Sequence, residues 1–325
     1  MSLSDKGYAM LWAARGATRP GKTIRFLRDK RAVDEAHAAA TPARLENVGT
    51  VTHLSILPLI DFYPESADLV GEPGVSYLVT ADDKKYLFDV GRNVKEEHPS
   101  PLLRNMERLG VRPQDLSGVF ISHAHLDHVG GISQMHRKAF ALSAQPVDLH
   151  AMPAFVPEPM THSSATVQVV SGPSKLGEGL ASTGPLARAI WLMGTSYEQA
   201  LLVNVQDKGV VMIVGCGHPS LDRLLERARA VIDTPLYGVV GGLHFPVTAS
   251  RAGKGAQTIL GNGKLPWQRI TRSETQEAAA RLDALHPSLV ALSAHDSCDW
   301  TLSVFRQQFG DRCQEVKVGR EIVVA

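Results

Sequence analysis

The sequence predicts an α/β protein of αββα layering, with two β-sheets packed face to face and helices on their outer sides. Three observations carry that expectation. Strand-like and helix-like stretches alternate in two similar halves, each running strand, strand, helix, strand. Polar residues and glycines gather where the strands end. Hydrophobic residues make up 44% of the chain and charged residues 21%, enough to build a core and far from the composition of a disordered chain.

The first apolar strand is expected over residues 50–57, followed by the Pro- and Gly-punctuated loop DFYPESADLVGEPG. Strands over 75–80 and 86–90 flank ADDKK, a connection of hairpin length. Leu102, Leu103, Met106 and Leu109 fall at helical spacing, and residues 119–122 form a short buried strand that runs into a histidine cluster. In the second half, residues 189–192, 200–205 and 210–214 are β-rich. Residues 221–232 are helical, with Leu221, Leu224, Leu225, Ala228 and Val231 on one stripe. A strand over 237–240, a helix over 273–285, a strand over 289–293 and a helix over 300–309 complete the layering. Asp296 and Asp299 read as caps at the start of that last helix. Residues 249–267, with four glycines and with Arg251, Lys254 and Lys264, read either as a solvated insertion or as a lid whose basic groups meet an anionic substrate.

Residues 1–48 form a basic N-terminal extension, with nine Lys or Arg against five Asp or Glu, ahead of one domain over 49–325. That arm is expected to be solvated, to pack on a partner subunit of a homo-oligomer, or to cover the active site. The chain's net charge of +1, without a basic stripe interleaved with aromatics, argues against nucleic acid as a partner. No apolar run is long enough for a membrane helix and the first residues do not resemble a secretory signal, so a cytoplasmic protein without a membrane partner is expected. Cys216, Cys298 and Cys313 are too scattered for a disulfide framework.

The chemistry concentrates in the run His123, Ala124, His125, Leu126, Asp127, His128. Imidazole and carboxylate are ligands for zinc, iron and manganese when several converge from a rigid support, and here the support is a strand end. Side chains at i and i+2 of an extended segment point the same way, so His123 and His125 are placed to share one metal. A helix starting near Asp127 would turn Asp127 and His128 toward a second.

This run, followed by Gly130 and Gly131, resembles the signature of the metallo-β-lactamase superfamily, and the resemblance extends from about residue 50 to the C-terminus. It implies an αββα sandwich of the metallo-β-lactamase type. Phe88, Asp89, Val90 and Gly91 resemble the strand-end segment that precedes the motif, which implies that Asp89 orients the ligands by hydrogen bonds. The segments EQALLVNV, GVVMIVGCGHPS and GGLHF, with a late isolated histidine, are similar to the subgroup that holds the methanopterin-related ribofuranosylaminobenzene phosphate synthases and many hydrolases.

The chain departs from the pattern in the turn expected before EQALLVNV, where the superfamily has a histidine and this sequence has Gly194, Thr195 and Ser196. His218 is assigned the missing role. Cys216 stands where the superfamily commonly places a bridging aspartate, and is either a thiolate ligand or a small buried hydrophobe. His244 and His295 compete for the last ligand position of the second metal, the other contacting substrate. His37, His53, His98, His136, His150, His162 and His286 read as surface or packing residues.

The resemblance therefore implies a hydrolase holding two divalent metal ions, zinc first and iron or manganese as alternatives. A metal-bridging hydroxide would act on an ester, a lactone or a phosphate-bearing small molecule. Asp127 would orient that hydroxide and His244 would protonate the leaving group. The alternatives are a synthase like those of the subgroup, which joins an aromatic amine to a phosphoribosyl donor, and a diiron redox or binding protein.

Overall fold

Two seven-stranded sheets form the interior of the protein in a computed structural model that describes residues 20–248, 257–258 and 260–325. In chain order the strands are β1 (Leu54–Ile60), β2 (Ser76–Ala81), β3 (Lys84–Phe88), β4 (Gly118–Phe120), β5 (Pro153–Val156), β6 (Thr166–Val169), β7 (Ser174–Gly177) and β8 (Leu180–Ser182). They continue as β9 (Leu186–Ile190), β10 (Gly194–Glu198), β11 (Leu201–Val205), β12 (Gly209–Val214), β13 (Leu236–Gly241), β14 (Leu289–Leu292), β15 (Cys313–Glu315) and β16 (Ile322–Val323). The first sheet has the order β16-β1-β2-β3-β4-β5-β6 and the second β15-β14-β13-β12-β11-β8-β7, while β9 and β10 pair as a separate hairpin. The helices are α1 (Pro20–Ala39), α2 (Pro101–Arg108), α3 (Ile132–Arg137), α4 (Leu221–Val231), α5 (Arg272–Asp283) and α6 (Asp299–Phe309).

The period of two in the strands produces the layers. Tyr77 and Val79 of β2 join Val211 and Ile213 of β12 in the core between the sheets. Leu78, between the first two, points the other way and packs with Leu102 and Met106 of α2. Met212 and Val214 likewise face outward, against Leu224 and Ala228 of α4, Leu282 of α5 and Phe305 of α6. Each large apolar side chain buried in these layers contributes about 1.5–3 kcal/mol. The αββα sandwich is thus the outcome of strands that are apolar on both faces.

The parallel pairings place the chemistry. β3 runs parallel to β4, and β12, β13 and β14 run parallel to one another. Their C-terminal ends therefore open onto one edge of the sandwich, where loops between strands and helices collect. Asp89 follows β3, the histidine run follows β4, Cys216 and His218 follow β12, His244 follows β13 and His295 follows β14.

Three local expectations are corrected. The helix after the histidine run begins only at Ile132; residues 126–130 form turns instead, because Gly130 and Gly131 have φ of +91° and +116°, which a right-handed helix excludes. Gly194, Thr195 and Ser196 lie in β10, paired with β9, and not in a turn. Asp296 does not cap the last helix: Cys298 holds the N-cap position, Asp299 is the first helical residue, and the Asp296 carboxylate accepts the His244 backbone N–H at 2.8 Å.

The N-terminal helix α1 docks on its own chain. Phe26 is buried against Ala189 and Trp191 of the β9–β10 hairpin, and Asp34 pairs with Arg223 of α4 at 2.6 Å.

Candidate metal centre

Five loops bring their polar side chains to the mouth of the sandwich, and two buried carboxylates organise them from below. Asp89 accepts the Ser122 backbone N–H and the Ser122 hydroxyl, both at 2.7 Å, and lies 2.7 Å from His128 Nδ1. Since the Ser122 hydroxyl donates to Asp89, it accepts from His123 Nδ1, 2.9 Å away. On the other side Asp61 accepts the Ser293 hydroxyl at 2.5 Å and the Tyr77 hydroxyl at 2.9 Å, and Ser293 Oγ lies 2.6 Å from His295 Nδ1. His218 Nδ1 faces the carbonyl oxygen of Gly261 at 2.9 Å, and a carbonyl only accepts.

The consequence is a common tautomer. In His123, His128, His218 and His295 the Nδ1 proton is committed to a partner behind the site, which turns each Nε2 inward. His128 Nε2 and His295 Nε2 lie 3.1 Å and 3.2 Å from Cys216 Sγ. His123 Nε2 is buried and has no hydrogen-bond partner. A buried polar atom without a partner is costly. An unpartnered imidazole nitrogen among further imidazoles that converge on one thiol is an arrangement a cation satisfies.

The ligand atoms fall into two groups that share one atom. Those of Asp127, His128, Cys216 and His295 all lie within 4.8 Å of one another, and so do those of His123, Cys216 and His218. A third group joins Cys216 to His244 and Asp296. The His125 ring packs edge-on beside His123, its centroid 4.6 Å away, and His125 Nδ1 is 3.0 Å from His218 Nε2. All six residues expected as ligands from the sequence, with Cys216, are therefore gathered in one place. His295 sits with Asp127 and His128, whereas His244 sits on the far side of Cys216. His244 also donates from Nε2 to the Leu260 carbonyl at 2.8 Å.

Electrostatics agree with this donor set. Burial pushes His123 and His218 well below the usual imidazole range, with neighbouring histidines adding to the shift, and burial pulls His125 and His244 down to about 4. These rings are neutral, the form that binds metal. Burial opposes charge on His128 too, but Asp89 and Asp127 outweigh it and raise that group to about 9, so the ring holds a second proton at neutral pH that a bound cation would displace from Nε2. Burial, then Asp127 and Asp296, drive the Cys216 thiol well above its ordinary value, so a thiolate there requires a cation beside it.

Two organising groups escaped the sequence reading besides Asp61 and Ser293. Glu198, at the end of β10, accepts the backbone N–H groups of Cys216, Gly217 and His218 at 2.9, 2.7 and 2.8 Å. Burial raises its carboxyl to about 7 although those three donors lower it. Gln199 next to it donates to the Ile121 carbonyl at 2.9 Å and ties the two halves of the site together. The E-Q pair opening EQALLVNV was the available signal, since buried polar residues at a strand end demand partners.

Above the centre lies a cavity of about 520 Å³, bounded by His125, Asp127, His218 and His244 among polar residues and by Phe62, Leu126 and Leu260 among apolar ones. Arg251 and Lys254 lie outside the described residues. Lys264 is not a wall of this cavity: its ammonium pairs with Glu274 at the start of α5.

Residues 69–163 fit the family model of the metallo-beta-lactamase superfamily. The chain is 24% identical over 242 residues to 7,8-dihydropterin-6-methyl-4-(beta-D-ribofuranosyl)-aminobenzene-5'-phosphate synthase of Methanocaldococcus jannaschii, covering 62% of this chain and 81% of that protein. Among solved structures it is similar to Tm1679, described as a metal-dependent hydrolase of the beta-lactamase superfamily, with a TM-score of 0.58 and 19% identity over 84% of this chain and 100% of that one. A second is the metallo-beta-lactamase fold protein YhfI from Bacillus subtilis, with a TM-score of 0.50 and 15% identity over 83% of this chain and 99% of that one.

Proposed function

We propose that this protein, whose residues 69–163 match the metallo-β-lactamase superfamily of mostly metal-dependent hydrolases, hydrolyses an ester, lactone or phosphate-bearing small molecule with two divalent metal ions, zinc first among them. One observation carries the reading: four histidines with committed Nδ1 protons turn their Nε2 atoms inward, in two groups that share Cys216, at the floor of a cavity.

His123, His125 and His218 would hold one ion, Asp127, His128 and His295 the other, and Cys216 Sγ would lie between them. Bound divalent ions supply Lewis acidity and lower the pKa of water toward neutrality. The protein's own residues do the rest. Asp89, Asp61 and Glu198 hold the ligand loops rigid, and Asp127, half-exposed to the cavity, orients the attacking water. Phe62, Leu126 and Leu260 exclude bulk water from the reacting bond. His244 is the candidate for leaving-group protonation; burial keeps it neutral with its proton on Nε2 against Leu260, so it would first take up a second proton on Nδ1 and donate that one.

The test is metal analysis together with turnover of p-nitrophenyl acetate, a γ-lactone and bis(p-nitrophenyl) phosphate. Close to two equivalents of metal per chain and metal-dependent turnover of one of these are expected, with both lost in His123→Ala and His128→Ala. Full activity in either variant would refute the assignment. The similarity to the phosphate synthase supports a second reading, condensation of an aromatic amine with a phosphoribosyl donor. Pyrophosphate release from such a pair, without hydrolysis of the three test compounds, would select it.

A further inference from the structure

The cavity above the metal centre has one fixed cation among its described walls, Arg92, and the rest of the lining offers it no counter-charge except Asp127. We propose that Arg92 is a specificity-determining residue that binds an oxyanion of the substrate, a carboxylate or phosphate separate from the bond that is cleaved. This deepens the hydrolase reading above and rests on it for the position of the reacting bond.

Position is the first argument. Arg92 follows Asp89 by three residues, and its backbone is held from both sides. Glu72 Oε1 accepts the Arg92 N–H at 2.7 Å and the Asn93 N–H at 3.0 Å. Val90 donates to the His128 carbonyl at 2.9 Å and Gly130 to the Gly91 carbonyl at 2.9 Å, so the segment is laced to the ligand turn. Gly74 lets the two approach: a Cβ there would stand 3.2 Å from Arg92 Cβ and 2.8 Å from the Asp127 carbonyl oxygen. Arg92 is therefore fixed beside the metal ligands, not on a free loop.

Partnership is the second. The Arg92 guanidinium is half-buried yet forms no ion pair or hydrogen bond with a described residue. Most other arginines of the described chain are engaged, as Arg104 is with Glu97 and Arg320 with Glu65. Asp127, the one acid on the wall, belongs to the candidate ligand set and is spent on the metal. A guanidinium is always charged and presents a planar fork of donors that matches carboxylate and phosphate oxygens. Phe62, Pro73 and Leu126, which line the cavity with it, are apolar and leave that fork for the ligand. The ligand this describes has an apolar body and carries, near the labile bond held over Asp127 and His218, a separate oxyanion for Arg92.

The experiment uses metal-loaded protein. Calorimetric titration with glutarate and, separately, with inorganic phosphate compares the wild type with Arg92→Ala and Arg92→Lys, the lysine variant guarding against a folding defect. Weakening by about tenfold in Arg92→Ala, with partial recovery in Arg92→Lys, is expected for at least one anion, since a hydrogen bond to a charged group is worth that factor or more; the arm that responds identifies carboxylate or phosphate. Equal affinity across the three proteins for both anions, or no binding to the wild type, overturns the proposal. In turnover, the ratio of kcat/KM for p-nitrophenyl hemisuccinate over p-nitrophenyl acetate should favour the charged ester and collapse in Arg92→Ala. Arg92-dependent binding without turnover of any ester, lactone or phosphodiester would sink the hydrolase reading and leave this inference standing.

Discussion

Asp61 mirrors Asp89 across the candidate metal centre: each carboxylate accepts a serine hydroxyl that touches a site histidine, Ser293 beside His295 and Ser122 beside His123. The two carboxylates come from different sheet strands and loops, yet each fixes a ring through one hydroxyl. Asp89→Asn and Asp61→Asn should therefore both lower metal affinity, by about 10–100-fold, as partners of ligating histidines generally do. Metal titration followed by competition with a chromophoric chelator measures this, and unchanged affinity in both variants would remove their orienting role.

Cys216 decides whether the two ligand groups are joined. Cys216→Ala is expected to lower bound metal by at least one equivalent while the fold persists, and chelation of the wild type should lower its Tm, because a cation bound only by the folded state stabilises it. Near-normal metal content in Cys216→Ala would reduce the residue to packing.

Glu198 holds the loop of Cys216, Gly217 and His218 by three backbone N–H groups. Glutamine keeps the size but turns one acceptor into a donor, so Glu198→Gln must leave at least one of these groups unmatched. A loss of about 1–3 kcal/mol in unfolding free energy is expected, read by urea denaturation of the metal-free protein. A stability equal to wild type would mean that the carboxylate does not hold the loop.

Gly261 has φ of +95°, and a Cβ there would approach the His244 ring to 2.4 Å. Gly261→Ala should displace the carbonyl that holds the His218 proton and weaken metal binding, with a stability cost of about 1 kcal/mol or more from the left-handed backbone. Unaltered metal affinity would separate His218 from this segment.

The docking of α1 carries an acid-sensitive contribution. Burial raises the Asp34 carboxyl, but hydrogen bonds from Lys30 and Arg223 outweigh it and hold the group below its ordinary value. A depressed carboxylate stabilises the fold above its unfolded pKa, about 3.9, and that stabilisation fades as pH falls through the depressed value. Thermal unfolding between pH 7 and pH 3 should show a shallower acid decline in Asp34→Asn than in wild type; parallel declines would contradict the coupling.

Much of this was legible in the sequence where a local pattern suffices. The hairpin of β2 and β3 announced itself by two apolar runs around a five-residue turn, and His123 to His128 by dense ligands after a buried strand. The unread parts are those that depend on distant partners. Asp61 lies in a loop-like stretch and acquires its role only when β14 brings Ser293 to it from 232 positions away. Glu198 sits in a short polar strand, β10, whose glycine and serine content reads as a turn until β9 pairs with it. The choice between His244 and His295 was likewise open, because both follow apolar strands; the direction each ring takes depends on Leu260 in one case and Ser293 in the other.

Three successive carbonyls, of Leu260, Gly261 and Asn262, are gripped by His244, His218 and Arg188. The strap beside the cavity is thus fastened with an imidazole that is also a candidate ligand of the centre. Whatever steadies His218 from the inside steadies the strap from the outside, and the reverse holds by thermodynamic reciprocity. Metal uptake by His218 and the seating of this strap would then be one equilibrium seen from two ends.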